Sequence, residues 1–415
     1  MIKENVVYKR GKKYIRSTHH PFDKYLNKNK SNDIKIFIDE YRRMANIFLE
    51  ELWNQEYNWY NKQGDKKFSM FLKHSKLNDG CPQFLEPKNF NSYNQYKGCL
   101  SGRALSSLCH QLMGIIRGCV RVAKKSQKPI VKPNVSNILP EISLKHVKFI
   151  EKSSSTFSIS IKLSSMFNVR GKYILIPLKL HKMDEYYANI IKGRRLNSIQ
   201  LNYNSIAIRY EIIPNINELD KPNILGVDIG IRKICAFSNG IKTSNRNNQG
   251  KSLEDILKKL DRCKKGSKNY KNKLIERDCF INEVLNKIDL LDVGVLRVED
   301  TKYLKERIRN NYHHWKTSKI KFKIKCICQI NQVDLIECPS MYKSQRCFNC
   351  GFVHTKNRNH EKFKCINCLY SDDADINAAK NNSIELIHDN IWDYKGENKK
   401  SGFFWIKNRI FINKI

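Results

Sequence analysis

The pattern of apolar and polar residues predicts two helices in the first third of the chain. From Phe37 onward, apolar residues recur at three- or four-residue steps, one of them doubled, at Tyr41, Met44, Phe48, Leu52 and Trp59. A second helix is predicted from Ser101, a residue type that favours the N-cap position. Its apolar face consists of Leu105, Leu108, Leu112, Ile116, Cys119 and Ala123.

Basic residues lie on the second helix away from its apolar face, at Arg103, Arg117, Arg121 and Lys124. Two interpretations fit this pattern equally well. The helix is either amphipathic with an ordinary solvated basic face, or part of a helical recognition lobe that follows a phosphate backbone.

The period changes to two after a linker marked by Pro129, Pro133 and Pro140. The alternation predicts strands at Thr156–Leu163 and Tyr173–Leu180, and a hairpin of Ser198–Tyr203 with Ile206–Ile212 that turns at Asn204-Ser205. Near the start of the chain, Val6–Tyr14 is short enough to be one strand plus a turn at Gly11. Together these strands predict a small β-domain, a barrel.

In the second half of the chain, acidic residues lie within or next to apolar segments. Asp228 lies inside the apolar strand Ile224–Gly230, which is followed by a strand at Lys233–Ser238 and a hairpin signal at Asn239-Gly240. The strand Val293–Val298 ends in Glu299-Asp300. A helix is predicted to open within the segment Asp372-Asp373-Ala374-Asp375-Ile376-Asn377-Ala378-Ala379.

Each acidic position has an ordinary explanation when it is taken alone. Asp228 could lie on a solvated strand face, many strands end in a charge like Glu299, and acids at a helix N-terminus are common caps. Together, however, two strands and one helix N-terminus could bring three carboxylates to one point. Such a cluster repels itself unless cations bridge it, and oxygen ligands select Mg²⁺ or Mn²⁺. Two such ions would support phosphodiester hydrolysis, and the small Ala378 and Ala379 would let the helix approach the sheet closely.

Four of the fourteen cysteines form two CxxC pairs, Cys347 with Cys350 and Cys365 with Cys368. Their spacing is typical of a zinc ribbon with one tetrahedral Zn²⁺. A redox CxxC is the alternative, but it would not occur as a pair. Four thiolates close the coordination shell, so this zinc is structural and not catalytic. Cys326 and Cys328 are interpreted as small buried residues.

Charge narrows the choice of partner. The chain of 415 residues has 77 Lys and Arg against 40 Asp and Glu, a net charge of +37. A surplus of this size indicates a polyanionic partner, with nucleic acid first and an anionic membrane second, although dispersed lysine is also typical of an AT-biased genome. No segment has the length of a membrane span or the form of a signal peptide, and cysteine-rich chains without an export signal are typical of reducing compartments. These features predict a cytoplasmic, nucleoid-associated protein.

Four stretches resemble motifs of one family, the transposon-encoded TnpB nucleases and the miniature type V (V-F-like) CRISPR effectors. Residues 225–230 resemble the first RuvC motif, Val298-Glu299-Asp300 the second and Asp373–Ala379 the third. The stretch Pro339–Gln345, which runs into the CxxC pairs, resembles the target-nucleic-acid-binding zinc insert. The resemblance covers roughly residues 222–385, more loosely 156–213, and departs from the family at Leu369, where Gly is frequent.

The resemblance implies a choice among the acids: Asp228, Glu299 over Asp300, and Asp375 over its neighbours, as ligands of two Mg²⁺ or Mn²⁺ ions. It also implies a catalytic role for Arg358, for which a solvated loop arginine is the alternative, and nucleic-acid contacts at Tyr342 and Gln345.

The implied fold is α/β with a β-barrel and a helical lobe, namely a RuvC (ribonuclease-H-like) domain with a four-cysteine zinc-ribbon insert. The predicted domains are an N-terminal part of the wedge domain (1–30), a helical recognition domain (31–128), a wedge barrel (129–220), the RuvC domain (221–343 and 371–415) and the zinc insert (344–370).

The function implied by the resemblance is RNA-guided cleavage of DNA next to a short flanking motif, by a single RuvC site. The partners would be a guide RNA and target DNA, with no membrane, and some family members work as two copies on one RNA. Two other functions remain open: an RNA-guided repressor that rarely cuts, and a ribonuclease-H-like transposase. The intact acids argue against the repressor. The first 30 residues favour the CRISPR-associated branch slightly over the transposon-associated one.

Overall fold

The computed structural model describes residues 4–412 except 24–25, 64–89, 127–130, 152–157, 165, 170, 180–192, 215–222, 231–232, 301–314, 316, 387–390, 395, 398 and 408. The chain forms two compact units. One consists of Met1–Lys12 with Pro214–Ile415, and the other of Lys13–Ile213. The first strand, β1 (Asn5–Tyr8), therefore belongs to the same unit as the C-terminal half, whereas the sequence assigned residues 1–30 to the wedge.

The Lys13–Ile213 unit contains the two predicted helices. They are α1 (Lys28–Gln63) and α3 (Gly102–Ser126), with the short α2 (Asn91–Asn94) before the second. Ser101 caps α3 as predicted, because its Oγ accepts a hydrogen bond of 3.1 Å from the backbone N–H of Ala104. The side chains of Leu52, Trp59 and Lys124 lie outside the described residues.

The strands of this unit form two open sheets. One has the order β2-β8-β7-β3 and the other the order β4-β5-β6. The predicted barrel is not confirmed, since the described strands form no closed ring of pairings; an isolated bridge from Phe22 to Leu178 links the two sheets. The strands are β2 (Tyr14–Pro21), β3 (Glu141–Ser143), β4 (Val147–Glu151), β5 (Ser158–Ser164), β6 (Tyr173–Lys179), β7 (Arg194–Leu201) and β8 (Ser205–Ile212).

One hydrophobic core joins the helices and strands of this unit. It includes Phe37 and Tyr41 of α1, Leu108 of α3 and Ile176 of β6. The predicted helical (31–128) and β (129–220) segments therefore fold as one unit. The hairpin turns one residue earlier than predicted, since the backbone N–H of Asn202 donates to the oxygen of Ser205 at 2.8 Å.

A mixed five-stranded sheet forms the centre of the other unit, with the order β1-β12-β11-β9-β10. Strand β9 (Asn223–Ile229) is parallel to β11 (Val293–Glu299), and β11 is parallel to β12 (Asp334–Cys338). The edge strands β10 (Cys235–Phe237) and β1 are antiparallel to their neighbours. The predicted turn follows β10, and Gly240 has the positive φ of 89° that such a turn requires.

Among the described residues of this unit, four helices accompany the sheet: α4 (Leu253–Asp261), α5 (Lys268–Leu285), α6 (Thr317–Asn331) and α7 (Ala374–Ser383). The first three contribute to one core with the strands, through residues such as Leu257, Phe280 and Ile324. Cys328 is buried there, as the sequence indicated, whereas Cys326 is half-buried.

Small sheets complete this unit between β12 and the C-terminus. One contains β13 (Phe352–Val353), β17 (Phe403–Ile406) and β18 (Arg409–Phe411). The other contains β14 (Arg358–Asn359), β15 (Lys362–Lys364) and β16 (Ser371–Asp373), and leads directly into α7. None of the described helices is long and apolar enough to cross a lipid bilayer.

Candidate active site and metal centre

Two of the predicted acids are neighbours across the central sheet. Val298 of β11 pairs with Val227 of β9 in parallel register, so Glu299 and Asp228 follow at the same edge. Glu299 is 7% exposed, and its carboxylate accepts a hydrogen bond of 3.3 Å from the backbone N–H of Ile229. Asp300 is directed elsewhere, since its carboxylate lies 3.5 Å from the ammonium of Lys321. The alternation of a strand thus separates Glu299 from Asp300.

The third acid comes from the first turn of α7, where the structure distinguishes three candidates. Asp373 is the N-cap and accepts hydrogen bonds from the backbone N–H groups of Asp375 and Ile376 at 2.9 and 3.2 Å. Asp372 binds Lys380 at 2.8 Å and the Tyr370 hydroxyl at 2.6 Å. Asp375 has neither role, and its charge acts on Asp228.

Close packing of α7 on β9 brings these elements together. A Cβ atom on Gly226 would lie 2.0 Å from the backbone oxygen of Ala379, so only glycine fits there. Asn382 of α7 donates a hydrogen bond of 2.8 Å to the oxygen of Val227, next to Asp228. Ala378 and Ala379 are both buried, as expected of a helix that approaches a sheet closely.

The electrostatics of the acids are those of a crowded anionic site. Desolvation raises the pKa of Asp228 well above its ordinary value, and the carboxylates of Glu299 and Asp375 raise it further. Desolvation also raises the pKa of Glu299 to about 7, although the Ile229 hydrogen bond and nearby cations oppose this effect. Carboxylates held against their mutual repulsion form a donor set suited to a hard divalent cation.

Arg358 contacts this cluster from the segment between the two CxxC pairs. Its guanidinium donates to the Asp375 carboxylate at 2.9 Å and to the backbone oxygen of His360 at 3.1 Å. The side chain is partly exposed, and its catalytic role stays a prediction. Its charge also lowers the pKa values of Asp228 and Glu299 relative to what burial alone would give.

The four cysteines converge on one point. The sulfur atoms of Cys347 and Cys368 are 3.7 Å apart, those of Cys350 and Cys365 are 3.6 Å apart, and all four lie within 4.8 Å of one another. Zn–S bonds of about 2.3 Å in a tetrahedron would place the sulfurs roughly 3.8 Å apart, so the quartet fits Zn²⁺. Among the described residues, this quartet is the one group of three or more His, Cys, Asp or Glu side chains whose ligand atoms all lie within 4.8 Å of one another, and Asp228, Glu299 and Asp375 are farther apart than that.

We expect Cys350→Ser to lower the zinc content from one ion per chain towards zero and to lower the melting temperature. A serine hydroxyl is a poor Zn²⁺ ligand, and the small core around the quartet contains few other apolar residues. Elemental analysis and thermal unfolding measure the two effects. Cys263→Ser, at a half-buried cysteine outside the quartet, is the control and should leave the zinc content unchanged. An unchanged metal count in Cys350→Ser would refute the zinc site.

Leu369 lies next to the last cysteine of the quartet, at a position where the resembled family frequently has Gly. Leu369 adopts a φ of 61°, in the left-handed region that favours glycine. The turn is therefore kept despite the change of residue, and its backbone N–H still donates to the oxygen of Cys365 at 3.0 Å.

The predicted nucleic-acid-binding residues have different surroundings. Arg103 and Arg121 are exposed on α3, and Arg117 is half-buried with its Nε lacking a hydrogen-bond partner. Tyr342 packs edge-on against the Phe403 ring at 5.5 Å, and the backbone oxygen of Gln345 accepts a hydrogen bond of 2.9 Å from Asn357. Contacts of these residues with nucleic acid stay predictions.

Buried asparagines that the sequence pattern did not predict as important join α7 to the segment before the cysteine quartet. Asn381 donates to the backbone oxygens of Lys343 and Arg346 at 2.9 and 2.7 Å, and Asn377 donates to Arg346 at 2.9 Å. All of these side chains are buried. Several asparagines in one short helix, whose interior they do not favour, were the available signal.

Comparisons with known proteins agree with the sequence resemblance. Residues 318–382 match the model of the Cas12f1-like TNB domain. The CRISPR-associated endodeoxyribonuclease Cas12f1 of Sulfoacidibacillus thermotolerans is 22% identical over 264 residues, which are 55% of this chain and 61% of that protein. The enzyme of the same name from an uncultured archaeon is 22% identical over 211 residues, 41% of this chain and 39% of that protein. The chain thus spans less than two thirds of the length of these curated relatives.

One solved structure extends the likeness to most of the chain. A cryo-EM structure of the Cas12f1–sgRNA–target DNA complex matches 90% of this chain and 99% of that one, with a TM-score of 0.52 and 14% identity. At this identity the match shows the fold. The resemblance predicted from the sequence is thus confirmed as a similarity to the Cas12f1 type of miniature type V effector.

Proposed function

We propose that this chain, as a relative of the miniature type V effectors, is an RNA-guided DNA endonuclease with a single ribonuclease-H-like site. The observation that carries the proposal is that Asp228 and Glu299 follow paired positions of β9 and β11, with Asp375 of α7 near enough for its charge to act on Asp228. Parallel β9 and β11, the antiparallel β10 and the helix α7 packed on β9 are the arrangement expected of a RuvC domain. The relatives that match the chain are named as endodeoxyribonucleases.

The three acids are proposed to bind two Mg²⁺ or Mn²⁺ ions. Ions of this kind activate water and stabilise the leaving oxygen during phosphodiester hydrolysis. The chain's own contribution is to hold the carboxylates in a partly dry pocket, where their repulsion favours cation binding. Arg358 is proposed to contact the strand being cut, since a guanidinium beside the acids can bind a phosphate oxygen in a bidentate manner.

The proposed partners are a structured guide RNA and a target DNA. The related solved complex contains an sgRNA and a target DNA, and the net charge of +37 suits a chain that holds nucleic acid. In this class of recognition, base pairing with the guide reads the sequence, while the protein holds the backbone. The wedge and helical segments are proposed to read a short flanking motif, and the cysteine quartet is proposed to hold one structural zinc.

The test is cleavage of a plasmid by the purified protein. The RNA would be transcribed from the DNA that flanks the chain's own coding sequence, and a plasmid library would carry the guide match next to randomised flanking bases. We expect Mg²⁺-dependent linearisation of matched plasmids and none with an unmatched guide. Tight guided binding without cutting would instead support the repressor, and joining of cut ends to new DNA would support the transposase.

A further inference from the structure

Lys343 is a buried lysine whose ammonium has no hydrogen-bond partner. The residue is 2% exposed, and Nζ is one of few buried side-chain nitrogens among the described residues that no acceptor satisfies. A buried charge without a partner opposes folding, so such lysines are rare in protein interiors. Since Lys343 has no acceptor within the described residues, a bound ligand becomes a candidate partner for its ammonium.

Two links connect the segment of Lys343 to the elements that carry the acids. Cys338, which ends β12, pairs with Glu299 in register, and Lys343 follows five residues later. From the other side, Asn381 of α7 donates to the backbone oxygen of Lys343 at 2.9 Å. The same helix carries Asp375, and the strand β12 that precedes Lys343 pairs with β11, which carries Glu299.

Three cations act on the charge of Glu299, and two of them are already engaged. Lys321, Lys343 and Arg358 each lower the pKa of Glu299. Lys321 binds Glu337 at 2.8 Å, and Arg358 binds Asp375 at 2.9 Å. Lys343 makes no such bond, although it lies close enough to act on the carboxylate. Its donors therefore have no acceptor among the described residues.

We propose that the Lys343 ammonium is a phosphate-binding group of the active site and donates to a non-bridging oxygen of the DNA strand being cut. This inference rests on the proposed nuclease function. A phosphodiester is the anion that such a site must accept next to its carboxylates, and the bound phosphate gives the buried ammonium the partner that it lacks. The ammonium stabilises the negative charge that develops on the phosphoryl oxygens during hydrolysis.

The test is Lys343→Met, which keeps the length of the side chain and removes its charge. We expect the single-turnover rate of guided cleavage to fall on the order of 100-fold, as it does when one donor to a developing oxyanion is removed. We expect the melting temperature of the RNA-free protein to rise by about 2 °C, because an unpaired buried charge is lost. Lys343→Arg should recover part of the rate, since it restores a cation at this position.

Lys380→Met is the matched control. Lys380 is partly buried, and unlike Lys343 it has partners: its ammonium binds Asp372 at 2.8 Å and the Tyr370 hydroxyl at 3.1 Å. This variant should lower the melting temperature and leave the cleavage rate within about twofold. The opposite responses of the two lysines separate a group kept for substrate from one kept for folding.

Three results would overturn the inference. A lower melting temperature for Lys343→Met would make the lysine structural, and an unchanged rate would remove it from catalysis. Full recovery of the cleavage rate of Lys343→Met at high Mn²⁺ would mean that Lys343 only balances the charge of Glu299 and does not bind the phosphate. All three leave the proposed function intact, whereas failure of the wild-type protein to cut any matched plasmid refutes the proposed function and this inference with it.

Discussion

Asp228→Ala should reduce guided cleavage at least a thousandfold while raising the thermal stability of the protein. The charges of both Glu299 and Asp375 act on the Asp228 carboxylate. Its removal therefore takes away the acid that interacts with both other ligands of the proposed ion site. Its raised pKa means that the folded state holds the proton to a higher pH than the unfolded chain does. Ionised Asp228 therefore opposes folding at neutral pH, and its loss relieves that opposition. Single-turnover cleavage and thermal unfolding without added metal measure the two effects.

Asp372→Asn is the control for this prediction. Asp372 belongs to the same acidic run, but Lys380 and Tyr370 hold it away from the other acids. Its replacement should leave cleavage nearly unchanged and lower the melting temperature slightly, because a partly exposed ion pair contributes little. Binding of the guide RNA should be unaffected in both variants. Retained cutting by Asp228→Ala would refute the site assignment, and equal losses in both variants would point to misfolding.

Gly226→Ala should destabilise the unit that carries the acids by about 3 kcal/mol or more. The added Cβ would lie 2.0 Å from the oxygen of Ala379 and 2.4 Å from the backbone nitrogen of Ser383. Both contacts are with backbone, so α7 must move away from β9 as a whole. That movement would also break the hydrogen bond from Asn382 to Val227 and displace Asp375 from Asp228. Chemical denaturation measures the loss, and cleavage should fall in any fraction that remains folded.

Gly396→Ala provides the comparison within the same unit. No atom lies within 4 Å of a Cβ built at Gly396, so the substitution should change the free energy of unfolding by less than about 0.5 kcal/mol. If Gly226→Ala were equally mild, the close approach of α7 to β9 would be wrong. The basis for bringing Asp375 to the other acids would then be lost as well.

Residues near one another in sequence were sufficient to predict most of the helices and strands. The helical period, the Ser101 cap, the turn at Gly240 and the strands around Asp228 and Glu299 all depend on residues near one another in sequence. The cysteine quartet was also accessible, because a CxxC pair brings its own two sulfurs together. Pairings between distant segments were not accessible. The assignment of β1 to the central sheet depends on its bonding to β12, more than 300 residues away, and no local signal marks that partner.

Residues near one another in the chain were enough to identify the runs of carboxylates and the cysteines that could bind metals, and the strands and helix that carry them. The family pattern was needed to choose Glu299 over Asp300 and Asp375 over Asp372, since carboxylates next to one another in sequence are alike in local pattern. The tertiary structure gives the neighbouring acids other partners: Asp300 lies near Lys321, Asp372 binds Lys380, and Asp373 caps α7. It alone showed that a side chain at Gly226 would collide with α7 and that Lys343 is buried without a hydrogen-bond partner. Such properties depend on what surrounds a side chain in space, which the order of residues does not state.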